Sequence, residues 1–233
     1  MSNFEEYFCW QQIPSPTISE ILCLNSSGVV LDTEHGCYNN ETIFSCIQII
    51  KSLKKKCFVR LTEVSKTITR YCLDSGADGI IFSTIDNEEQ CEKIIEYCCF
   101  PNKGKRGLGL VRQNLWGQKE LLSEDPILIP QIETKKGVDN LQNIASFDFD
   151  YFLIGPYDLS LSLGVPSQFE SKIYKEYLKK IEKIIPKEKM AVHIPNDVEK
   201  QLDKYSGYGM KCLGMDTIAL LDYHKEISKN VRF

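Results

Sequence analysis

The run Ile127-Leu128-Ile129-Pro130-Gln131-Ile132-Glu133 decides how the rest of the chain is interpreted. An apolar run that ends abruptly in polar residues is typical of a buried strand that delivers those residues to its carboxyl end. A second apolar run, Tyr151–Ile154, ends in the same way at Gly155-Pro156-Tyr157-Asp158. Glu133 and Asp158 at neighbouring strand ends would suit one hard divalent cation, with positions left for substrate oxygens. Two ordinary strand ends with solvated acids are the alternative.

Strand-like runs and helical patterns alternate along almost the whole chain. The predicted strands are Phe8–Gln11, Val29–Thr33, Cys57–Leu61, Gly79–Ser83, Ile127–Glu133, Tyr151–Ile154, Met190–Ile194 and Lys211–Met215. The predicted helices are Thr17–Leu24, Glu41–Leu53, Ser65–Ser75, Glu88–Cys98, Val138–Ser146, Phe169–Ile184, Asp197–Tyr205 and Thr217–Ser228. Eight strands, each followed by a helix, predict a (β/α)8 TIM barrel that occupies residues 1–233 as one α/β domain. A doubly wound open sheet is the alternative.

The composition of the chain indicates which kinds of partner and which cellular compartment to expect. The net charge of −4 argues against nucleic acid, which requires a clustered basic surface. The ten cysteines form no CxxC pair and no cluster with histidine at zinc-site spacing, so we expect free thiols and a reducing, cytoplasmic location. No stretch is apolar enough to cross a membrane, and the first residues do not resemble a secretory leader.

One segment interrupts the alternation. Residues 101–124 contain four glycines and no clear periodicity. A loop of this length inside a compact domain usually has a function, for example as a lid over a site. Arg106 and Arg112 in this loop would either meet an acidic or phosphorylated substrate group or lie solvated on the surface.

The active site of a barrel lies at the carboxyl ends of its strands, so polar residues at those ends are the candidates. The second strand is followed by Asp32-Thr33-Glu34-His35-Gly36, and the third carries Arg60 between Val59 and Leu61. An arginine in a buried strand requires an anion, which would be a substrate carboxylate or a neighbouring acid. His35 is a natural general base because its pKa is close to neutrality. His193 ends the seventh strand, and whether it lines the same pocket and contacts the substrate stays open.

Taken in order, these motifs resemble the HpcH/HpaI class II aldolases, which act on 2-keto acids with pyruvate as the donor. The resemblance extends over almost the whole chain. Its motifs are Ser15-Pro16 with Glu20, Asp32–Gly36, Val59-Arg60, Leu73–Ala77, Pro101–Gly109, Gln131–Thr134, Ile154–Ser160 and Gly214–Asp216.

The resemblance implies a function and roles for particular residues. It implies reversible cleavage of a 2-keto-4-hydroxy acid to pyruvate and an aldehyde, through a pyruvate enolate stabilised by a divalent magnesium, manganese or cobalt ion. Glu133 and Asp158 would hold this ion. Arg60, Gln131 and the backbone around Tyr157 and Asp158 would bind the keto acid. His35, oriented by Asp74, would transfer the proton.

The same resemblance implies a homo-oligomer built from dimers, up to a hexamer, in which the last helix, about residues 217–229, is exchanged between subunits. Ser83 stands where the family usually has proline, which leaves the shape of that wall and the aldehyde open. Three other functions remain as alternatives. They are a Schiff-base aldolase that uses Lys135 or Lys136, a lyase of the citramalyl- or malyl-CoA type, and a catalytically silent barrel that binds a keto acid or a protein.

Overall fold

The eight strands close into a parallel barrel in which each strand pairs with the next and the last pairs with the first. The computed structural model describes residues 6–119 and 125–231 of the chain. The strands are β1 Phe8–Gln11, β2 Gly28–Asp32, β3 Lys56–Leu61, β4 Gly79–Phe82, β5 Ile127–Ile132, β6 Phe152–Ile154, β7 Met190–Ile194 and β8 Met210–Met215. The predicted (β/α)8 architecture is confirmed, and the open sheet is excluded.

Helices separate the strands. They are α1 Pro16–Cys23, α2 Asn40–Ser52, α3 Lys66–Ser75, α4 Glu88–Cys98, α5 Lys135–Asp139, α6 Leu141–Ile144, α7 Pro156–Ser162, α8 Lys172–Ile184, α9 Val198–Gln201 and α10 Asp216–Asn230. Two predicted helices are wrong in detail. The predicted helix Val138–Ser146 is the pair α5 and α6, which breaks at Asn140 (φ −95°, ψ 4°). The predicted helix Asp197–Tyr205 is α9 followed by a 3-10 turn, Leu202–Tyr205.

Helix α7 was not predicted, and it changes the setting of Asp158. Pro156 is the first helical residue, a position at which its missing N–H costs nothing and its fixed φ favours the helix. Asp158 therefore lies in the first turn of a helix and not at a bare strand end. With seven residues, α7 is too short to show a helical period in the sequence.

Side-chain alternation along the strands divides the core into two parts. One cluster takes at least one residue from every strand and fills the barrel, including Val30, Phe58 and Ile129. The other lies between the strands and the helices, including Val29 and Val59. Because strand side chains repeat with period two, the residue two positions beyond a barrel-filling residue also faces inward, at the carboxyl mouth. The pairs are Val30 and Asp32, Phe58 and Arg60, Ile81 and Ser83, Ile129 and Gln131, and Ala191 and His193.

The long loop is partly described. Residues 120–124 lie outside the described residues, and residues 112–117 form a 3-10 helix. Arg112 donates to the carbonyl oxygen of Ser75 (3.0 Å), which holds this part of the loop against α3. All ten cysteines are free thiols. Within the described ranges, none of the helices combines the length and apolar character needed to cross a bilayer.

Candidate active site

A cavity of about 330 Å³ lies at the mouth of the barrel. Of the predicted site residues, its lining includes His35, Arg60, Gln131, Tyr157 and Asp158. His193, whose role the sequence left open, also lines the cavity. So do residues that were not predicted, among them Trp10, Gln12, Asn196, Met215 and Ile218. For Trp10 and Gln12 the period-two alternation of β1 is the signal that would have identified them.

Arg60 is held by two acids of the loop that follows β2. Its Nε and Nη2 donate to the two oxygens of Asp32 (2.9 and 2.7 Å), and its Nη1 lies 2.7 Å from Oε2 of Glu34. Trp10 and Gln12 also donate to Asp32 (both 3.1 Å). Burial alone would raise the pKa of Asp32, but the hydrogen bonds and charge of Arg60 bring it below its ordinary value.

Arg60 therefore does pair with neighbouring acids, as one of the two predicted alternatives has it. These acids do not occupy all of its N–H donors. A guanidinium has five N–H donors. Two of them donate to Asp32, and Nη1 forms an ion pair with Glu34, so at least two remain. The Arg60 side chain is only 9% exposed and still lines the cavity. Arg60 is thus fixed in place and keeps donors for an anionic substrate group.

Glu133 lies next to the cavity and is buried (4% exposed). Its Oε1 accepts from the main-chain N–H and the hydroxyl of Thr84 (2.9 and 2.7 Å), and its Oε2 accepts from the side-chain amide of Gln131. The pKa of Glu133 is raised, first by burial and then by the nearby carboxylates of Glu34 and Asp158, against the opposing effect of Thr84. The acids here repel one another, which is the electrostatic condition that a bound cation relieves.

The donor set fits a hard divalent cation held by few protein ligands. Oε1 of Gln131 is buried and has no hydrogen-bond partner among the described residues. The backbone of Gly155 approaches Glu133 closely, and a Cβ there would come 2.7 Å from Oε2 of Glu133 and crowd that oxygen. Among the described residues no group of three or more His, Cys, Asp or Glu is arranged for a metal. An ion here would therefore rest on two carboxylates, with water and substrate oxygens as further ligands, as is usual for Mg²⁺.

His35 lines the cavity, but Asp74 lies elsewhere. Asp74 accepts a hydrogen bond from Nη2 of the buried Arg106 (2.8 Å), and within the described ranges no hydrogen bond joins it to His35. Arg106 also donates to Gln113 (2.5 Å). Arg106 and Arg112 thus bond within the protein, and the predicted alternative of solvated surface arginines does not hold for Arg106.

His193 packs against the floor of the cavity. Its ring stacks on the ring of Trp10, with centroids 4.1 Å apart and an interplanar angle of 12°. Burial, with a smaller contribution from Arg60, lowers the pKa of His193 to about 4, against a weak contact with the carbonyl oxygen of Gly214. At neutral pH the pocket therefore presents a neutral imidazole.

Known proteins with sequences similar to this chain include aldolases. Residues 8–221 match the family described as HpcH/HpaI aldolase/citrate lyase. A hydroxypyruvate/pyruvate aldolase of Roseobacter denitrificans is 29% identical over 98% of this chain and 93% of its own length. A 2-keto-3-deoxy-L-rhamnonate aldolase of Escherichia coli K12 is 30% identical, over 59% of this chain and 54% of its own length.

Solved structures resemble the whole barrel. The crystal structure of the citrate synthase SbnG superposes with a TM-score of 0.84 at 25% identity, covering 97% of this chain and 92% of that one. An HpcH/HpaI aldolase/citrate lyase family protein from Burkholderia cenocepacia superposes with a TM-score of 0.88 at 21% identity, covering 98% and 95%. At 21% identity the second likeness concerns the fold alone.

The neutral His193 predicts a dependence of stability on pH. Its pKa is about 4 when folded and about 6.5 in a free chain, so the unfolded state binds the proton first as pH falls. The free energy of unfolding should therefore fall between pH 6.5 and 4, by up to about 3 kcal/mol for this group. Urea unfolding of the wild type and His193→Gln across this range measures it. The variant should lose part of the slope, and identical slopes would contradict the assignment.

Proposed function

Because the chain belongs to the HpcH/HpaI aldolase/citrate lyase family, we propose that it is a metal-dependent aldolase, a carbon–carbon lyase. Its reaction is the reversible cleavage of a 2-keto-4-hydroxy acid to pyruvate and an aldehyde. The observation that supports this proposal is a small cavity lined by a fixed arginine, Arg60, and by Asp158. A second buried acid, Glu133, is hydrogen-bonded to the lining residue Gln131, and its pKa is raised in part by Asp158. The cavity volume, about 330 Å³, suits a short keto acid with a small aldehyde.

The proposed site residues have two roles, which are stabilisation of charge and binding of the substrate. Glu133 and Asp158 would hold a magnesium, manganese or cobalt ion. When bound, such an ion supplies a Lewis acid for the keto group and neutralises charge at its oxygen. The free N–H donors of Arg60 would bind the anionic end of the keto acid and stabilise the negative charge that develops as the C3–C4 bond breaks. Gln131 and the backbone at Tyr157 and Asp158 would orient the same molecule.

His35 would act as the general base and take the proton of the 4-hydroxyl group as the aldehyde leaves. The predicted dyad of His35 and Asp74 requires one rearrangement of side chains. Asp74 is bonded to Arg106, so it would have to exchange that partner for His35. Ten free thiols fit a reducing compartment such as the cytoplasm.

A second candidate is carbon–carbon bond chemistry on a CoA thioester. It is favoured by the likeness, at 25% identity, to the structure of a citrate synthase. The small cavity weighs against it, because the adenine and phosphate groups of CoA would have to lie outside it. A Schiff-base mechanism has less support. The described lining of the cavity contains no lysine, and Lys135 and Lys136 have exposed side chains.

Release of pyruvate from a panel of 2-keto-4-hydroxy acids, coupled to lactate dehydrogenase, tests the proposal. EDTA should abolish the activity and manganese should restore it. Glu133→Gln and Asp158→Asn should each lower kcat/KM by about 100-fold or more, since each removes a ligand of the charge-stabilising ion.

Two controls complete this assay. Asp148→Asn and Glu170→Gln make the same chemical changes at highly exposed side chains and should leave kcat/KM unchanged. Turnover that survives EDTA and is trapped by borohydride would replace the metal mechanism with a lysine. Turnover of citramalyl- or malyl-CoA alone would favour the second candidate.

We infer that α10 packs against a second copy of the chain, as the resemblance implies. It carries exposed Leu220 (48%), Leu221 (53%) and Tyr223 (62%), and Leu220 and Tyr223, three positions apart, share one face of the helix. An apolar patch of this kind is uncommon on a monomer. The helix follows β8 directly, so a partner on it would lie near the cavity, whose lining includes Ile218 of the first turn.

Light scattering after gel filtration measures the predicted assembly. The wild type should have at least twice the chain mass of 26.7 kDa. The double variant Leu220→Asp/Leu221→Asp should have a lower mass, because two charges cannot be buried without partners. Leu24→Asp, at an exposed leucine (68%) outside this helix, should keep the wild-type mass. A monomeric wild type would rule the assembly out.

A further inference from the structure

Thr84, the second residue after β4, makes two hydrogen bonds that have no role in the reaction proposed above. Its main-chain N–H and its hydroxyl both donate to the same oxygen, Oε1 of Glu133, at 2.9 and 2.7 Å. We propose that Thr84 is a positioning residue that directs the cation to the other oxygen, Oε2, of Glu133. The inference rests on the proposed function, because it concerns the carboxylate that would hold the ion.

A count of lone pairs carries the inference. Each oxygen of a carboxylate can accept about two hydrogen bonds. Thr84 occupies both positions on Oε1, whereas Oε2 accepts one hydrogen bond from Gln131. One lone pair, on Oε2, therefore remains for a cation. A side chain at position 155 would crowd this oxygen, since a Cβ there would lie 2.7 Å from Oε2. Glu133 would thus bind through a single oxygen.

The backbone at Thr84 supports a functional role. Its φ is +57°, in the left-handed region that a β-branched residue rarely adopts. Such strain persists only where the surroundings enforce it, and it is concentrated at functional sites. Here the side chain of Gln90 enforces it, by donating to the carbonyl oxygen of Thr84 (2.9 Å) and accepting from the N–H of Asp86 (2.8 Å). The strained conformation is what aims the Thr84 N–H and hydroxyl at one oxygen.

The preceding residue makes a similar contact with a different acid. The hydroxyl of Ser83 donates to Oε2 of Glu34 at 2.6 Å, and the same oxygen pairs with Arg60. Ser83 therefore belongs to the arginine side of the cavity and Thr84 to the metal side. A change at Thr84 should affect metal binding before it affects binding of the keto acid.

The test measures Mn²⁺ affinity of metal-stripped protein, without substrate, from the EPR signal of free Mn²⁺. Thr84→Val keeps the shape and the main-chain N–H but removes the hydroxyl, so the Kd for Mn²⁺ should rise by about 10-fold or more. Thr84→Ser retains the hydroxyl and should bind close to the wild type. Thr84→Gly relieves the backbone strain and also lacks the hydroxyl, so it should weaken binding even if Thr84→Val folds poorly.

Thr69→Val is the matched control. Thr69 is fully buried, and its hydroxyl has no partner among the described residues, so this variant should bind Mn²⁺ as the wild type does. Saturating Mn²⁺ should also recover turnover in Thr84→Val, which a general loss of structure would not allow. Wild-type affinity in both Thr84→Val and Thr84→Gly would overturn the inference and leave the proposed function standing. A wild type that binds no Mn²⁺ would overturn both.

Discussion

The ion pair between Asp32 and Arg60 is the contact on which the rest of the site depends. A buried guanidinium is very unfavourable unless it is paired and hydrogen-bonded, and here Asp32 pairs with it through both oxygens. Asp32 also accepts from Trp10 and Gln12, so the pair joins the mouths of the first three strands. The fold therefore holds the guanidinium of Arg60 in a fixed place at the mouth of the barrel.

The opposite side of the cavity has the opposite charge. Glu133 is buried beside Asp158 and Glu34, and its raised pKa reflects burial and their repulsion. The arginine side is suited to an anion, and the acidic side is suited to a cation. A keto acid that is anionic at one end and bound to a metal ion at its carbonyl group satisfies both sides together. This complementarity explains why a small metal-dependent aldolase fits the geometry better than a lysine enzyme, since lysine is absent from the described lining of the cavity.

Most of the fold and part of the candidate site could be predicted from the sequence, because the strands and the residues at their ends follow a local periodicity. All eight strands lie within one residue of their predicted ends, and several residues predicted at those ends, such as Arg60, Gln131 and His193, line one cavity. Helix α7 escaped prediction because seven residues show no period. The partner of Asp74 also escaped, because Arg106 lies 32 residues away in a loop whose path no local pattern determines. The conformation of Thr84 is likewise set by Gln90 and Glu133, and a threonine gives no local signal for positive φ.

The most direct measurement is a crystal structure with Mn²⁺ and oxalate, a planar dianion that resembles the enolate form of pyruvate, recorded at the manganese absorption edge. We expect an anomalous peak at the barrel mouth, bonded to Asp158 and to Oε2 of Glu133, with oxalate on the ion and the free donors of Arg60 directed at the oxalate. A crystal with manganese at other sites and none between Glu133 and Asp158 would contradict the account.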